Sequence, residues 1–271
     1  MMAFAANSVL CRLALGQDSI DPAGFTAIRL LSGALVLFVI IQFNPSKKRP
    51  SARGSWSAAA MLFLYAATFS FAYVTLNTGT GALILFGAVQ ITMIIQSLLS
   101  GNRLRVMEWV GLATAFAGLV YLVLPGVTTP SLGGFCLMAV AGIAWGIYTL
   151  KGRGSTAPLS DTTYNFIRSV PLVMVLTLLT FSKMNISYEG ILLAAISGGI
   201  TSGVGYTIWY AALRGLAATQ AAVVQLSVPI IAGFGGVLFV SEQISLRLAF
   251  AALLTIGGIL MVILSRTYHE I

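Results

Sequence analysis

Ten apolar runs follow one another along the chain, and few charges interrupt them. They fall at approximately 2–15, 22–43, 56–76, 80–99, 107–124, 131–150, 162–181, 187–211, 216–239 and 246–266. A helix rising about 1.5 Å per residue needs roughly 20 apolar residues to cross the hydrocarbon of a bilayer. The sequence therefore predicts an all-α integral membrane protein with ten transmembrane helices. The first run is short, which fits either a span whose beginning is absent from the sequence or a peripheral helix. A water-soluble fold is a poor fit on charge. Only 8% of the 271 residues are charged and 58% are hydrophobic, whereas soluble domains carry about 25% charged residues.

The breaks between runs have the chemistry of loops. Asn44, Pro45, Ser46, Lys47, Lys48, Arg49 and Pro50 make a polar, Pro-rich link. Pro125 and Gly126 end the fifth run, and Thr129 and Pro130 start the sixth. The other links are a few residues long, so neighbouring helices run antiparallel and no soluble domain fits between them.

The net charge of +8 is distributed as a membrane protein distributes it. With the N-terminus placed inside, inner loops and span ends hold Lys47, Lys48, Arg49, Arg53, Arg103, Arg105, Lys151, Arg153, Arg168, Arg214 and Arg266. The outer side holds Arg12, Arg29, Lys183 and Arg247, giving 11 against 4. The positive-inside rule then predicts a multi-pass protein of a bacterial-type inner (plasma) membrane with both termini cytoplasmic. The basic residues mark loops, so no nucleic-acid partner is expected. Cys11 and Cys136 lie in apolar runs and the one histidine, His269, lies in the tail, so neither a disulfide framework nor a metal site is expected. No cofactor is expected. The first run lacks a basic leader and ends at Arg12, unlike a cleavable signal.

The sequence also repeats. Phe25-Thr26-Ala27-Ile28-Arg29 resembles Tyr164-Asn165-Phe166-Ile167-Arg168. Gly101 to Leu124 parallels Ser241 to Leu264, with Gly118 on Gly258, and Tyr73 to Leu76 parallels Tyr210 to Leu213. Two units of five spans, 1–124 and 131–267, follow. Five is odd, so the second unit enters the membrane from the opposite side, and the pair forms inverted repeats. In that architecture the substrate site lies near mid-membrane between the halves.

Several residues carry a family resemblance: Asn7 through Leu15, Arg29 after Phe25, Ala144-Trp145-Gly146, Tyr206 through Leu213, Pro229, Glu242 and Gly257-Gly258. In order and spacing they resemble the drug/metabolite transporter superfamily, specifically its ten-span EamA-type exporters. Gln90 and Asn102 stand about where the second half has Pro229 and Glu242, a departure from the family pattern. The resemblance implies export of small organic solutes: amino acids, related metabolites or lipophilic cations. Within that superfamily the sequence resembles the YddG-type amino-acid exporters. The partners implied are a small-molecule substrate and the lipid bilayer.

Tyr206, Trp209 and Tyr210 share one helix face, as do Trp145 and Tyr148. These aromatics read in two ways, as the lining of a substrate cavity or as an interfacial belt. For Trp56 and Trp109, at the starts of their spans, the belt reading is the stronger. Asn7, Asn77, Gln90, Gln96, Gln220 and Gln225 put amides into the apolar runs, where each needs a helix partner, water or substrate. Pro229, one turn after Gln225, breaks the ninth helix near that amide. The expected substrate-binding set is Asn7, Tyr73, Asn77, Gln90, Trp145, Tyr148, Tyr206, Trp209, Tyr210, Gln225 and Pro229. Arg12, Arg29 and Arg168 are charged candidates that could each grip a carboxylate, but they sit near span ends, where snorkelling or a structural tie is expected, and Arg29 and Arg168 suggest one shared role. The glycine pairs Gly142/Gly146 and Gly199/Gly203 predict close helix packing, and Gly233, Gly235 and Gly236 give flexibility to the ninth span.

No acid falls at a predicted span centre. Proton-driven carriers keep ionisable relays in the membrane, so facilitated transport is expected. Paired carboxylates and nucleophile–base pairs are also missing, which disfavours an intramembrane enzyme. A multidrug or lipophilic-cation efflux carrier and a non-transporting scaffold are the alternative readings.

Overall fold

The computed structural model describes residues 1–43, 53–99, 101, 105–124, 129–153, 155–213 and 224–267. The loop 44–50, Asn102, Arg103, Pro125-Gly126, Arg214, Gln220 and His269 lie outside the described residues. The helices are α1 (Met2–Gly16), α2 (Pro22–Phe43), α3 (Trp56–Tyr73), α4 (Thr78–Leu99), α5 (Val106–Val123), α6 (Leu132–Gly152), α7 (Pro158–Thr180), α8 (Tyr188–Leu213), α9 (Ser227–Val240) and α10 (Leu246–Thr267). Among the described residues, all but α1 and α9 are long and apolar enough to cross a membrane. Those two are shorter apolar helices. The only sheet-like pairing described is a single bridge, Ile20 to Ile186.

Side chains fix several helix starts. Ser55, Ser131 and Ser187 each accept a hydrogen bond from a backbone N–H three residues on, which satisfies a donor left free by helix geometry. Asp21 does the same for Ala23 and Gly24 at the head of α2. Glu108 accepts from the Arg105 N–H at the head of α5. Pro158 opens α7, where its missing N–H costs nothing. These ends differ from expectation mainly at α7, which starts at 158 instead of 162, and at α9, which is described only from 227.

Lipid tails are as apolar as the helices, so burial of apolar surface gives helices no reason to associate. Close approach through small residues does. Gly142 and Gly146 of α6 lie against Leu85, Ala88 and Thr92 of α4, and Gly111 and Gly258 bring α5 onto α10. Gly198, Gly199 and Gly203 of α8 lie on α2 around Arg29, Ser32, Val36 and Leu37. Further pairings join α3 to α6, α2 to α7, and α9 to both α1 and α4.

Helix α8 carries a π-helical stretch, Ser197–Val204, between its two α-helical parts. Such wide turns are frequent at functional sites. Here the segment is rich in glycine and hydroxyls, and it faces α1 and α2.

The bundle has two ends. The Met1 end carries residues 53–55 beside Asp161, Asn165 and Arg168. The Glu242 end carries the loop 17–21 paired with 185–187, and the loop 74–77 beside Ser131.

A Cβ added at Gly198 would lie 2.0 Å from the Arg29 carbonyl oxygen, whereas one at Gly257 meets nothing within 4 Å. Overpacking costs about 1–3 kcal/mol or more. Gly198→Val is therefore expected to lower the thermal midpoint of the purified protein in detergent clearly, and Gly257→Ala to leave it unchanged.

Candidate functional site

At the centre of the described bundle is a charge. Arg29 lies seven residues into α2, roughly 10 Å along the helix at 1.5 Å per residue. It is only 1% exposed. Its Nε donates to Ser202 Oγ of the π segment at 3.0 Å, and its Nη2 donates to the hydroxyls of Tyr65 at 3.0 Å and Tyr206 at 2.9 Å. The guanidinium carbon lies 5.2 Å from the Tyr65 ring centre and 4.9 Å from that of Phe69, within cation–π range. Among the described residues no carboxylate is a partner of Arg29, and Nη1 has no hydrogen-bond partner. Arg29 therefore does not snorkel to a headgroup as its position near a span end suggested. It folds inward, because small residues of α8 leave room and hydroxyls of α3 and α8 solvate it.

Asn7 extends this network. Its Oδ1 accepts from Ser197 Oγ at 2.7 Å and from Thr201 Oγ1, and its Nδ2 donates to Ser202 Oγ at 3.2 Å. Three hydroxyls of the π segment thus satisfy the amide, and Ser202 joins it to Arg29.

Around the arginine the aromatics form one continuous stack. Tyr206 lies 4.6 Å from Trp145 between ring centres, and Trp145 lies 5.0 Å from Tyr65 and 5.5 Å from Tyr148. Phe4 of α1 touches Trp145, Tyr206 and Trp209, and Tyr148 meets Tyr210 at 6.0 Å. In the other direction Tyr65 leads to Phe69 and Phe69 to Tyr73. Trp145, Tyr148, Tyr206, Trp209 and Tyr210 are all buried, so they do not form an interfacial belt. Trp56 and Trp109 are exposed, as belt residues are. The Tyr148 and Tyr210 hydroxyls and the Trp209 Nε1 are buried without hydrogen-bond partners.

A cavity of about 390 Å³ opens at the Met1 end. Its lining includes Tyr148, Tyr210, Lys151, Asp161, Thr162 and Asn165. The cavity meets the aromatic stack at Tyr148 and Tyr210.

The Glu242 end is held by an ion pair. Arg12 Nε lies 3.2 Å from Glu242 Oε1, and Arg12 Nη1 donates to the carbonyls of Tyr73 and Val74. Glu242 Oε2 accepts from the Thr78 N–H at 2.8 Å. These bonds join α1, the α3–α4 link and the α9–α10 link. Tyr73 is fully buried just inside, with its hydroxyl on the Thr78 carbonyl. Ser241 adopts a left-handed conformation, φ 57°, which turns the chain so that Glu242 reaches back.

The remaining expected residues lie elsewhere. Asn77 is not within a span; it is exposed in the α3–α4 link and lines a second cavity, of about 350 Å³, at the Glu242 end. Gln90 is buried on α4. Gln225 is buried with its Oε1 unpartnered, beside a helix break at Leu226. Pro229 sits in the first turn of α9 and lines a small apolar cleft with Gly79, Leu83 and Gly233. Arg168 does not share the place of Arg29. It is half-buried, donates to the Arg53 carbonyl, and lies over Trp56. Arg29, Tyr65, Phe4 and Ser202 were missing from the expected set. The sequence signal for Arg29 was a lone cation within an apolar run.

Long apolar helices around a buried polar and aromatic centre define a multi-pass membrane protein. The chain belongs to the EamA-like transporter family, whose model matches residues 1–124 and 132–264, and so to the drug/metabolite transporter superfamily. It is a membrane transporter. It is 47% identical to an uncharacterized protein of Pseudomonas aeruginosa over 98% of this chain and 92% of that one. It is 21% identical to the uncharacterized transporter YoaV of Bacillus subtilis, covering 91% of this chain and 89% of the relative. A protein of known crystal structure, 18% identical, superposes with a TM-score of 0.69 over 100% of this chain and 97% of its own, a likeness of fold.

Removing the Asn7 amide would leave Ser197 and Ser202 short of a buried partner. An unsatisfied buried group costs about 1–3 kcal/mol. Asn7→Ala is expected to lower the unfolding midpoint in detergent, and Asn7→Ser to recover part of the loss.

Proposed function

We propose that the protein exports small organic metabolites, foremost amino acids, by alternating access through the aromatic centre. The observation that carries this reading is an asymmetry of the two ends. A cavity reaches the aromatic stack at Tyr148 and Tyr210 from the Met1 end, while the Arg12–Glu242 ion pair holds the Glu242 end. That is the form expected of a carrier caught open to one side.

The positive-inside count supports a Met1 end facing the cytoplasm, and in this reading the membrane is an inner (plasma) membrane. The cavity then faces the cytoplasmic pool from which an exporter loads. Opening requires the Arg12–Glu242 contact to part and the aromatic stack to move apart from Tyr206 to Tyr73. In this path Trp145, Tyr148, Tyr206, Trp209 and Tyr210 line the loading side, and Tyr73 and Asn77 lie towards release. Asn7 positions the π segment. Gln90, Gln225 and Pro229 serve the moving α4 and α9.

The two-unit reading, five helices inverted on five, is supported by the pairing of helices. Exchanging the halves turns α3 with α6 into α8 with α1, and α4 with α6 into α9 with α1. It returns α2 with α7, α4 with α9 and α5 with α10 to themselves. Glycine contacts bring α4 onto α6 and α5 onto α10 closely enough for the helices to slide on one another.

Transport is facilitative in this reading. The central charge is a guanidinium, which does not titrate in the physiological range, and its partners are hydroxyls. Counterflow of labelled amino acids in proteoliposomes tests the proposal. Exchange is expected for the intact protein, and Trp145→Ala should lower it by roughly tenfold, the effect of losing about 1.4 kcal/mol of substrate contact. Gln225→Ala should also be slower. Full activity in both variants would overturn the site. For a substrate of no net charge, an imposed pH gradient should leave flux unchanged; strong accumulation driven by that gradient would overturn the facilitative mode.

A further inference from the structure

We propose that the group this site recognises is a carboxylate, received at Nη1 of Arg29, and that an α-amino group is dispensable. This inference rests on the transport reading and names the substrate class of the same site.

A guanidinium has five N–H donors and cannot be deprotonated in a protein. Three of the five are used here, by Ser202, Tyr65 and Tyr206. Both N–H groups of Nη1 remain, on a side chain that is 1% exposed. Among the described residues the charge has no counter-ion. Three hydroxyl oxygens and two ring faces solvate it only in part. A buried cation without an anion is costly in a bilayer, and such residues mark substrate paths.

The surrounding polar groups point the same way, because donors are in surplus. The Tyr65 and Tyr206 hydroxyls share one hydrogen bond at 3.3 Å and both accept from Arg29. Tyr206 is the donor, so the O–H proton of Tyr65 is left over among the described contacts. Trp209 Nε1 and the hydroxyls of Tyr148 and Tyr210 are buried and unpartnered as well. Asp161 lines the cavity with Tyr148 and Tyr210, but among the described residues no carboxylate stands at Arg29 to receive an ammonium. An amine entering here would meet the Arg29 charge with only aromatic faces to offset it. A carboxylate would satisfy the open N–H groups and neutralise the cation together, through charge-assisted bonds. The aromatic rings then take an apolar body. The same chemistry disfavours lipophilic cations.

The route is also defined. Tyr148 lines the cavity, Trp145 touches Tyr148, Tyr206 touches Trp145, and the Tyr206 hydroxyl holds Arg29. An anion entering from the cavity reaches Nη1 after the Trp145–Tyr206 contact opens.

The test uses proteoliposomes carrying the full-length protein. Counterflow of labelled alanine, leucine and phenylalanine is competed with each deaminated acid (propionate, 4-methylpentanoate, 3-phenylpropionate) and each amino-acid amide. Labelled tetraphenylphosphonium is run in parallel. The deaminated acids are expected to compete nearly as well as the amino acids. The amides should be about tenfold weaker or more, the effect of one lost charge-assisted bond. Arg29→Gln should erase the preference for acid over amide, and Arg29→Lys should keep its sign. The comparison in the unmodified protein needs no variant, so it decides the matter even where Arg29→Gln does not fold. Equal competition by acid and amide overturns the assignment. So does failure of the deaminated acids, or an acid preference that survives in Arg29→Gln. If tetraphenylphosphonium exchanges and no carboxylate does, the carrier reading stands and this assignment falls. If no labelled solute exchanges, the carrier reading falls and the assignment with it.

Discussion

A cation held out of water, with no anion beside it among the described residues, governs this structure. By insertion scales an arginine at the middle of a bilayer helix costs about 2.5–3.5 kcal/mol. The fold offsets that cost with Ser202, Tyr65, Tyr206 and two ring faces. Each of those groups comes from a helix that must approach α2 closely. Helix α8 does so through Gly198 and Gly203, and its π-helical stretch turns Ser202 towards the guanidinium. Asn7 then orders the remaining hydroxyls of that stretch. The position of α1, α2, α3 and α8 is thus one electrostatic problem with one local solution.

The aromatic stack follows from the same requirement. Large rings exclude water from the guanidinium and give it polarizable surface. They also connect the cavity at the Met1 end to Tyr73 at the Glu242 end, where Arg12 is paired with Glu242. The two arginines of the first half therefore have opposite settings. Arg12 has its carboxylate and holds an end; among the described residues Arg29 has none, and it occupies the centre. Glycine-lined crossings between α4 and α6, and between α5 and α10, keep the surrounding frame tight, with one side-chain hydrogen bond, Thr255 to the Ala115 carbonyl, across the second.

The frame was largely legible in the sequence, because length and apolarity alone decide what spans a bilayer. The described helices fall on the expected runs, with serine caps at 55, 131 and 187 setting starts that apolarity leaves vague. The centre was legible only in part. Trp145, Tyr148, Tyr206, Trp209 and Tyr210 stood out by helical spacing, but spacing does not tell a buried stack from an interfacial belt. Arg29 and Arg168 end similar five-residue stretches, and similarity suggested one role. Their fates diverge because Arg29 faces small residues of α8 while Arg168 faces the Arg53 carbonyl and Trp56. Phe4 and Tyr65 carried no signal, since single aromatics in apolar runs are ordinary. The π stretch was visible only as closely spaced glycines. Asn77 showed its polarity but not its place, because a turn of a few residues between two spans is hard to separate from their ends.

Thiol accessibility from the two faces of a sealed vesicle measures the central claim most directly, that a single path crosses the bundle through Arg29 and is open to one side at a time. With Cys11 and Cys136 replaced by alanine, a lone cysteine is placed at Tyr148 or at Tyr73 and exposed to an impermeant reagent. The account predicts that the cysteine at 148 reacts only from the face of the Met1 end and the one at 73 only from the opposite face. Adding a transported solute should then move the two reaction rates in opposite directions. Reaction of both from one face, or rates that rise and fall together, would contradict it.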